Sequence, residues 1–349
     1  MNQTALHQNK EMNKTVAIIG GGIAGLEASI QLEKLGYNVV LFEKDQTLGG
    51  HAAKWDRLFP NRRHASEVIE SLTKSIGKNT QLNLASPVNG INRENGTFLI
   101  EANGKNQKAD AIVLATGFEL FPASKKEEYG YSIFDNVITS AELESMFSNH
   151  GKPLMNSGKA PEKVAIIHCV GSRDEKVNRP YCSKVCCVTA VKQAIEIKEA
   201  LPKTEVYCFY MDLRMFGPGY EELYKEAQVK GVTFIRGRLS ETSELEGNRI
   251  LIKSEDTLAS KPLKMSVDMV VLMVGMSPLA STEKLLKDLN LDPNHDGFVQ
   301  VKDYHLEPTY TGSEGVFVAG ACTGPNNISD SVNAARSAAI EVHKYLSTK

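Results

Sequence analysis

The sequence lacks any apolar run of the ~18 to 20 residues that a transmembrane helix needs. It also lacks an excess of one charge sign, since 40 basic against 42 acidic residues leave a formal net charge of −2. Such a chain has no positive field to hold phosphate backbones or anionic lipids, so neither nucleic-acid binding nor membrane attachment is expected. The polar start, MNQTALHQNKEMNKT, has no apolar signal-peptide core. It predicts a frayed extension and a cytoplasmic protein.

Tandem repeats and low-complexity tracts are absent from the 349 residues, a length typical of two domains or of one with a large insertion. In the reducing cytosol the six cysteines are poor candidates for structural disulfides. Four of them lie together in one stretch, at Cys169, Cys182, Cys186 and Cys187. That clustering indicates a chemical role.

Apolar runs alternate with helical patterns along the chain, an order that builds parallel sheets covered by helices. The predicted elements of a first unit lie at residues 16–20, 23–35, 37–42 and 109–115, with a late strand at 315–320 and a final helix from about Asp330. Those of a second unit lie at residues 164–169, 184–201, 205–210, 220–231, 232–235 and 267–275. We therefore predict an α/β fold of two doubly wound Rossmann-like units. The second, residues 121–274, is inserted into the first, residues 1–120 and 275–349.

The segment GGGIAG, Gly20 to Gly25, has the pattern G-x-G-x-x-G between a predicted strand and a predicted helix. This is the context that dinucleotide binding requires. Gly20 permits the tight turn, Gly22 lets the backbone approach a pyrophosphate, and Gly25 allows close packing of helix on strand. Glu43 ends the second strand, where a carboxylate accepts hydrogen bonds from ribose hydroxyls. Motif, context and carboxylate together outweigh the alternative of a structural turn with a surface glutamate.

The glycine motif alone does not separate FAD from NAD, but three further segments favour FAD. Gly49-Gly50 follows Glu43 at a spacing seen in many flavoproteins, Ala115-Thr116-Gly117 resembles the segment that closes their FAD site, and 315–320 resembles their late strand. The helix after Asp330 is expected to direct its N-terminus at the flavin. The residues predicted to bind the cofactor are Gly20, Gly22, Ile23, Ala24, Gly25, Glu43, Lys44, Gly49, Gly50, His51, Lys54, Trp55, Ala115, Thr116, Gly117, Gly320 and Ala321.

Three positions in the predicted FAD unit carry further expectations. Ala321 stands where many such flavoproteins have an aspartate for the ribitol, so that contact needs another group. Cys322 is interpreted as a small packing residue. His51 is a candidate for a place beside the isoalloxazine ring and a possible catalytic residue, or a hydrogen-bonded structural histidine.

The second unit has no second nucleotide-binding loop. Its first predicted strand, VAIIHC, runs into Val170-Gly171-Ser172-Arg173-Asp174, which contains a single glycine. A nicotinamide dinucleotide would lose its close backbone approach there. NAD(P)H binding is therefore not expected.

The four clustered cysteines admit several interpretations. A zinc ion takes four thiolates, usually from paired C-x₂₋₄-C segments, whereas a redox disulfide more often has the pattern C-x-x-C. A 4Fe–4S cluster also takes four cysteines, at more varied spacing. Buried structural cysteines would explain Cys186 or Cys187 but not the whole set, and Ser183 could cap the helix that these two open. Basic residues in the intervening loop favour an anionic cluster, and they suit a solvated loop equally well.

From about Val16 to its C-terminus the chain resembles the A subunit of heterodisulfide reductase, in the short form found in the heterodisulfide-reductase-like complexes of sulfur oxidisers. The matching segments are GGGIAGLEA, EKDQTLGGHAAKWDRLFP, HCVGSRD, YCSKVCC, FGPGYEELY, GVTFIRGR and GVFVAGACTGPNNISDSV. The resemblance implies a thioredoxin reductase-like arrangement, FAD, and a nearby 4Fe–4S cluster held by Cys169, Cys182, Cys186 and Cys187. It also implies partners similar to the B and C subunits of heterodisulfide reductase, and a homodimer.

The sequence departs from the long form of methanogens, which carries further cysteine-rich segments. Here Phe59-Pro60 leads into NRRHASEVIE without a cysteine, and no C-x₂-C-x₂-C run occurs. We therefore expect one cluster and one FAD, and the electron bifurcation of the long form is not implied.

The function expected from these features is electron transfer by flavin and cluster within a heterodisulfide reductase-like complex, in cytoplasmic oxidation of protein-bound sulfane sulfur by the partner proteins. Two alternatives stay open. A free-standing NAD(P)H-dependent flavin disulfide reductase predicts rapid flavin bleaching by NADH or NADPH. A non-catalytic scaffold with a structural zinc site predicts a colourless protein.

Overall fold

A computed structural model describes residues 14–349 of the chain. The predicted N-terminal extension, apart from Lys14 and Thr15, lies outside the described residues. Among those described, no helix combines the length and apolar character that a membrane span requires.

The strands are numbered in chain order as Thr15–Ile19 (β1), Asn38–Phe42 (β2), Arg57–Leu58 (β3), Arg63–His64 (β4), Thr80–Asn83 (β5), Val88–Glu94 (β6), Thr97–Ala102 (β7), Lys105–Ala109 (β8), Ala111–Leu114 (β9), Phe118–Leu120 (β10), Val137–Thr139 (β11), Lys163–Val170 (β12), Glu205–Tyr210 (β13), Thr233–Arg236 (β14), Leu239–Leu245 (β15), Arg249–Asp256 (β16), Lys261–Val267 (β17), Met269–Val274 (β18), Met276–Pro278 (β19) and Val316–Val318 (β20). The α-helices are Ile23–Lys34 (α1), Ala65–Lys74 (α2), Ser140–His150 (α3), Cys186–Ala200 (α4), Tyr220–Val229 (α5), Ala280–Asp288 (α6) and Ile328–Ser347 (α7).

The chain divides into two compact units. Among the described residues, the first comprises 14–53, Ser66–Glu119 and Pro278–Lys349, and the second comprises Lys54–Ala65 and Leu120–Ser277. The segment 54–65 therefore belongs to the second unit, although the sequence places it in the first.

Contacts with buried charges account for this difference. The Asp56 backbone N–H donates to Glu144 Oε2 at 3.0 Å, and Lys192 Nζ donates to the Arg57 carbonyl oxygen at 3.0 Å. Glu144 and Lys192 lie on α3 and α4, far along the chain, so local sequence patterns do not reveal the attachment.

The first unit is built on a parallel five-stranded sheet with the order β20-β9-β1-β2-β5. Alternate residues of β1 point to opposite faces. Ile18 packs in one cluster with Leu26 of α1 and Ala338 of α7, while Ile19 packs in another with Phe98 of β7. Because both faces are covered, the central strands are apolar throughout, as their sequences predict.

The second unit repeats this plan in a parallel sheet with the order β11-β18-β12-β13-β14. On one face Ile166 of β12 packs with Leu143 of α3 and Val191 of α4, and on the other Ile167 packs with Ile252 of β16. β1 and β12 therefore occupy the same central place in two equivalent sheets, each followed by a turn at its carboxyl end.

The predicted α/β class with two Rossmann-like units is confirmed. Two antiparallel three-stranded sheets, β6-β7-β8 and β15-β16-β17, were not predicted because most of their strands are largely polar and lack the apolar runs of the parallel strands. Two helix starts also differ from prediction. α4 begins at Cys186 rather than Lys184, and α7 begins at Ile328 rather than near Asp330. The Asn327 side chain caps α7 by accepting the Asp330 N–H, so Asp330 lies in the first turn of the helix.

Candidate functional site

The turn of residues 20–25, here called the glycine turn, connects β1 to α1 in the first unit. Gly20 has φ +112°, and a Cβ there would overlap the Ala115 carbonyl oxygen. A Cβ at Gly25 would overlap the Gly20 carbonyl oxygen, so the helix packs directly on the turn. By contrast, a Cβ at Gly22 would meet nothing within 4 Å. The turn is therefore closely packed at Gly20 and Gly25 and open at Gly22.

The N-terminus of α1 fits an anionic ligand. Gly22 is its N-cap, and no side chain caps the first turn. Ile23, Ala24 and Gly25 form the first residues of the helix, where N–H groups have no partner within the helix and the dipole is positive. An open glycine beside such a helix end is the arrangement that receives pyrophosphate groups.

Glu43 is almost completely buried beside the glycine turn. Its Oε2 accepts the Gly21 N–H at 2.7 Å, and its Oε1 accepts the Asp45 N–H at 2.8 Å. The carboxylate thus holds the turn in place. Each oxygen keeps a further lone pair, so the ribose contact stays a prediction. Lys44, predicted beside it, has an exposed side chain.

The segment 49–51 packs against the glycine turn. The Gly49 N–H donates to the Gly21 carbonyl oxygen at 2.8 Å. His51 Nε2 donates to the Phe118 carbonyl oxygen at 2.8 Å, and the two rings stack with centroids 4.3 Å apart. Because a carbonyl oxygen only accepts, Nε2 carries the hydrogen in this contact. The structural role foreseen for His51 is therefore present, and a role toward the flavin stays a prediction.

The two remaining predicted segments lie in the same unit. Ala115 donates its N–H to the Ile19 carbonyl oxygen at 2.8 Å, and the Thr282 hydroxyl donates to Thr116 Oγ1 at 2.8 Å. Gly117, Gly320 and Ala321 follow strands β9 and β20 at the carboxyl edge of the sheet.

Cys322 is fully buried next to these segments. Its thiol donates to the carbonyl oxygens of Leu114, at 3.3 Å, and Ala319, at 3.4 Å, and burial raises its pKa to about 12. These contacts agree with its interpretation as a packing residue.

The predicted cofactor residues of the first unit thus follow adjacent strands of one sheet, and the open glycine beside an uncapped helix fits a dinucleotide. Lys54 and Trp55 are not part of this group, since both belong to the second unit. Their contact with a flavin stays a prediction.

The four clustered cysteines lie in the equivalent turn of the second unit, residues 169–187, here called the cysteine loop. Cys169 sits where the register of β12 is broken, with φ +60°, and Lys184 has φ +63°. Cys186 and Cys187 are the first two residues of α4. Left-handed conformations at residues other than glycine are strained and cluster at functional sites.

The expected helix cap at Ser183 is wrong. Val185 is the N-cap of α4, and no side chain caps this helix. The Ser183 hydroxyl is instead engaged by the Met276 N–H, at 2.9 Å, and by Ser172. The left-handed Lys184 delays the start of the helix.

Two of the four sulfurs have hydrogen bonds within the loop and its surroundings. The Lys184 N–H donates to Cys182 Sγ at 3.3 Å, and the Cys187 thiol donates to the Asp212 carbonyl oxygen at 3.6 Å. Nearby polar groups act on the other pKa values: Arg173 lowers the pKa of Cys169, and Ser183 lowers that of Cys186. The Arg214 backbone lowers the pKa of Cys187. Such effects favour the thiolate, the form that binds metals. No pattern in the sequence indicated the effects of Ser183 and Arg214.

Burial opposes ionisation of these thiols. It raises the pKa of Cys169 to about 12 and also raises the pKa of Cys186 and Cys187. Repulsion between neighbouring thiolates of the set adds to this effect, while Arg173 lowers the pKa of Cys169. A bound cation removes the penalty, since metal-ligating thiols are deprotonated. Four thiolates are a ligand type that suits a metal centre, but among residues 14–349 no three His, Cys, Asp or Glu side chains are placed to hold a single metal ion.

Two further polar features of this region were not singled out from the sequence. His168 precedes Cys169, and within the described chain neither of its ring nitrogens has a hydrogen-bond partner. Burial lowers the pKa of His168 to about 4, so the ring is neutral at neutral pH. Asp174 is buried in the cysteine loop and pairs with Lys126, at 2.9 Å, and with Arg238.

These features define a class of protein: an oxidoreductase fold of two Rossmann-like units, with a glycine-rich turn in one unit and a cysteine-rich turn in the equivalent place of the other. The chain belongs to the pyridine nucleotide-disulphide oxidoreductase family, which it matches over residues 14–167 and 188–339. Membership implies FAD as the cofactor.

The curated relatives include components of heterodisulfide reductases. The chain is 33% identical to the iron-sulfur A subunit of the CoB–CoM heterodisulfide reductase of Methanocaldococcus jannaschii, over 95% of this chain and 64% of the relative. It is 31% identical to the A subunit of the H(2):CoB-CoM heterodisulfide,ferredoxin reductase of Methanothermobacter thermautotrophicus, over 92% of this chain and 62% of the relative. The chain thus spans less than two thirds of the length of these relatives.

Solved structures show the same fold. Thioredoxin reductase of T. acidophilum matches with a TM-score of 0.67 and 20% identity, over 95% of this chain and 99% of the other. Thioredoxin reductase of Lactococcus lactis matches with a TM-score of 0.67 and 17% identity, over 97% of this chain and 100% of the other. The thioredoxin reductase-like arrangement is confirmed.

Proposed function

We propose that this chain is an electron-transfer component of a heterodisulfide reductase-like complex and contains one FAD and one 4Fe–4S cluster. FAD, when bound, supplies the exchange of one or two electrons. The glycine turn and the N-terminus of α1 bind its pyrophosphate, and Glu43 holds that turn and accepts ribose hydroxyls. The likeness to the A subunits of heterodisulfide reductases supports the flavin electron-transfer role.

We propose that Cys169, Cys182, Cys186 and Cys187 ligate the cluster. The observation that carries this assignment is that one turn between β12 and α4 contains all four cysteines, three of which are buried. Burial raises the pKa of these three thiols, so they gain most from binding a cation. Arg173 and the Lys184 N–H also offset the charge of an anionic cluster. The relative from Methanocaldococcus jannaschii is named as an iron-sulfur protein, which supports iron at this place.

The partners of the chain and the process in which it acts are proposed from the same similarity to A subunits of heterodisulfide reductases. The chain is proposed to form a homodimer and to exchange electrons with proteins similar to the B and C subunits of heterodisulfide reductase, in cytoplasmic oxidation of sulfane sulfur. The sequence motif YCSKVCC supports placing the chain with this type of flavoprotein.

Substitution of one cysteine inside the loop and one outside it tests the cluster assignment. Cys186→Ala should abolish the iron content and leave the FAD content unchanged, because the glycine turn belongs to the other unit. Cys208→Ala is the matched control, since Cys208 is also buried but lies within β13. Iron, acid-labile sulfide and FAD are measured separately after anaerobic purification.

Three outcomes would contradict the proposal. Cys186→Ala could retain its iron, the native protein could contain stoichiometric zinc without iron, or NADPH could rapidly bleach the flavin. The second outcome would support a zinc scaffold, and the third would support a free-standing disulfide reductase.

A further inference from the structure

The cysteine loop folds back on itself between its first and second cysteines. Asp174 and Arg179 form an antiparallel pair: the Asp174 N–H donates to the Arg179 carbonyl oxygen at 2.8 Å, and the Arg179 N–H donates to the Asp174 carbonyl oxygen at 3.0 Å. The Arg173 N–H also donates to the Tyr181 carbonyl oxygen at 2.9 Å. Residues 173–181 therefore form a short hairpin, here called the loop hairpin.

The loop hairpin determines where Cys182 lies. Cys182 directly follows Tyr181, at the point where the returning chain is paired with the start of the hairpin. The next side chain, the Ser183 hydroxyl, is in hydrogen-bond contact with the Ser172 hydroxyl, and the Ser172 N–H donates to the Cys169 carbonyl oxygen at 3.3 Å. The hairpin thus brings Cys182 back to the turn that contains Cys169.

A buried carboxylate anchors the loop hairpin to the rest of the second unit. Asp174 is 2% exposed, and its Oδ2 accepts hydrogen bonds from Lys126 Nζ, at 2.9 Å, and from the Arg238 guanidinium. Its Oδ1 accepts the Lys176 N–H at 3.1 Å, within the hairpin. Lys126 is itself almost completely buried, and its Nζ lies 5.6 Å from the centroid of the Tyr129 ring. One side chain therefore joins the hairpin to two cations outside the cysteine loop.

This anchor depends on the charge of Asp174. An asparagine has nearly the same size, and its carbonyl oxygen can still accept the Lys176 N–H, but it provides no anion for the two cations. Breaking a buried ion pair from one side is strongly destabilising, because the remaining charge loses its compensation. Lys126 would keep Glu128, 2.6 Å away, which belongs to the segment 127–129 and not to the cysteine loop. The loss therefore falls on the hairpin.

We propose that Asp174 is a positioning residue for the cluster: paired with Lys126 and Arg238, it fixes the loop hairpin and thereby holds Cys182 at the turn of Cys169 before the cluster assembles. Cys182 is half-buried, whereas the other three cysteines of the set are buried, so packing contributes least to its position. Ligands that are already in place do not have to be ordered on binding, which strengthens a site. This inference rests on the cluster assignment proposed above.

Asp174→Asn tests the proposal, with Glu175→Gln as the matched control. Each variant replaces one carboxylate of the loop hairpin by an amide, but Glu175 is exposed. Hydrogen exchange of the full-length chains after removal of iron by a chelator measures opening of the hairpin, and iron, acid-labile sulfide and FAD are measured after anaerobic purification. Asp174→Asn should speed exchange in residues 173–181 at least about tenfold, leave exchange in β13 unchanged, lose most of its iron and retain FAD. Glu175→Gln should match the native protein in all of these.

Two results with Asp174→Asn would overturn the proposal. Native exchange rates in the hairpin would show that the carboxylate does not anchor it, and faster exchange with native iron content would show that the anchor does not position Cys182. Equally faster exchange in β13 would overturn it too, since a general loss of stability is not a positioning role.

A second variant covers the case in which Asp174→Asn does not fold. Arg238→Gln removes one of the two cations at a position whose side chain is 41% exposed, so it should open the hairpin in the same way but less; unchanged exchange would overturn the anchor. The iron assay separates this failure from that of the function itself. Native protein without iron and sulfide refutes the cluster assignment, whereas native iron that persists in Asp174→Asn refutes only the role of Asp174.

Discussion

The glycine turn and the cysteine loop occupy equivalent places in equivalent sheets, yet they differ in the groups that line them. Each follows the central strand of a five-stranded parallel sheet and leads into a helix without a side-chain cap. The carboxyl ends of such strands are where ligands bind in α/β sheets. At the glycine turn the absence of side chains leaves room for a ligand to approach the backbone. At the cysteine loop side chains fill that space, and four of them are cysteines.

The helices that follow the two turns differ in a second respect, because α4 carries a buried group of charges. Lys192 Nζ lies 2.5 Å from Glu144 Oε1 and 3.1 Å from Glu196 Oε2, and all three side chains are almost fully buried. Two carboxylates thus share one ammonium group. Desolvation raises the pKa of Glu196 to about 7, against the opposing effect of Lys192.

The largest expected effect in this comparison is a pH dependence of stability confined to the second unit. The pKa of Glu196 is about 4.5 in the unfolded chain and about 7 in the folded chain. At pH values between these two, the folded chain therefore binds more protons at Glu196 than the unfolded chain does. Stability should therefore fall as the pH rises from 4.5 through 7, by up to about 3 kcal/mol. Glu196→Gln should remove this loss of stability at higher pH, because the amide of glutamine does not ionise. Lys192 keeps Glu144 as its partner in this variant.

Urea unfolding at pH 5 and pH 8 measures this effect. Trp55 is the one tryptophan of the chain and belongs to the second unit, so its fluorescence follows the unfolding of that unit. The same pH dependence in the native protein and Glu196→Gln would show that the group of charges is not its source.

A pair of glycine substitutions tests whether the two turns differ in the space around their backbones. Gly171 in the cysteine loop has φ +69°, and a Cβ there would overlap the Phe121 ring, so Gly171→Ala should cost about 1–3 kcal/mol of stability without changing the FAD content. Gly22→Ala adds its methyl group to open space and should leave the apoprotein as stable as the native one. It should nevertheless reduce FAD binding, because the methyl group lies where a pyrophosphate would approach.

Thermal unfolding of the apoproteins and the FAD-to-protein ratio separate these effects. If Gly22→Ala bound FAD as well as the native protein does, the glycine turn would not be the pyrophosphate site. If Gly171→Ala were as stable as the native protein, the cysteine loop would be open rather than filled.

The glycine turn was more predictable from sequence than the cysteine loop, for a physical reason. At Gly20 and Gly25 neighbouring backbone atoms lie so close that no side chain fits. These positions must therefore be glycines, and their fixed spacing is visible in the sequence. In the cysteine loop Cys169 and Lys184 have left-handed backbone conformations. Cysteine and lysine do not favour this conformation, so the sequence does not predict it. The Cys187 thiol donates to the backbone carbonyl oxygen of Asp212, an acceptor that any residue type could supply.

Long-range contacts explain the remaining differences. The segment 54–65 belongs to the second unit because the backbone at Asp56 and Arg57 bonds to Glu144 and Lys192. Ser183 was a plausible helix cap by residue type, but its hydroxyl is held by Met276, which follows β18 much later in the chain. Neither contact leaves a pattern in the local sequence.

The presence of both a flavin and a thiolate-bound iron–sulfur centre in one chain is the central claim. The most direct test is the cofactor stoichiometry of native protein purified without oxygen, measured as iron, acid-labile sulfide, zinc and FAD per chain. We predict about four iron, about four sulfide and about one FAD, with no zinc. FAD without iron and sulfide, or zinc in their place, would contradict the claim.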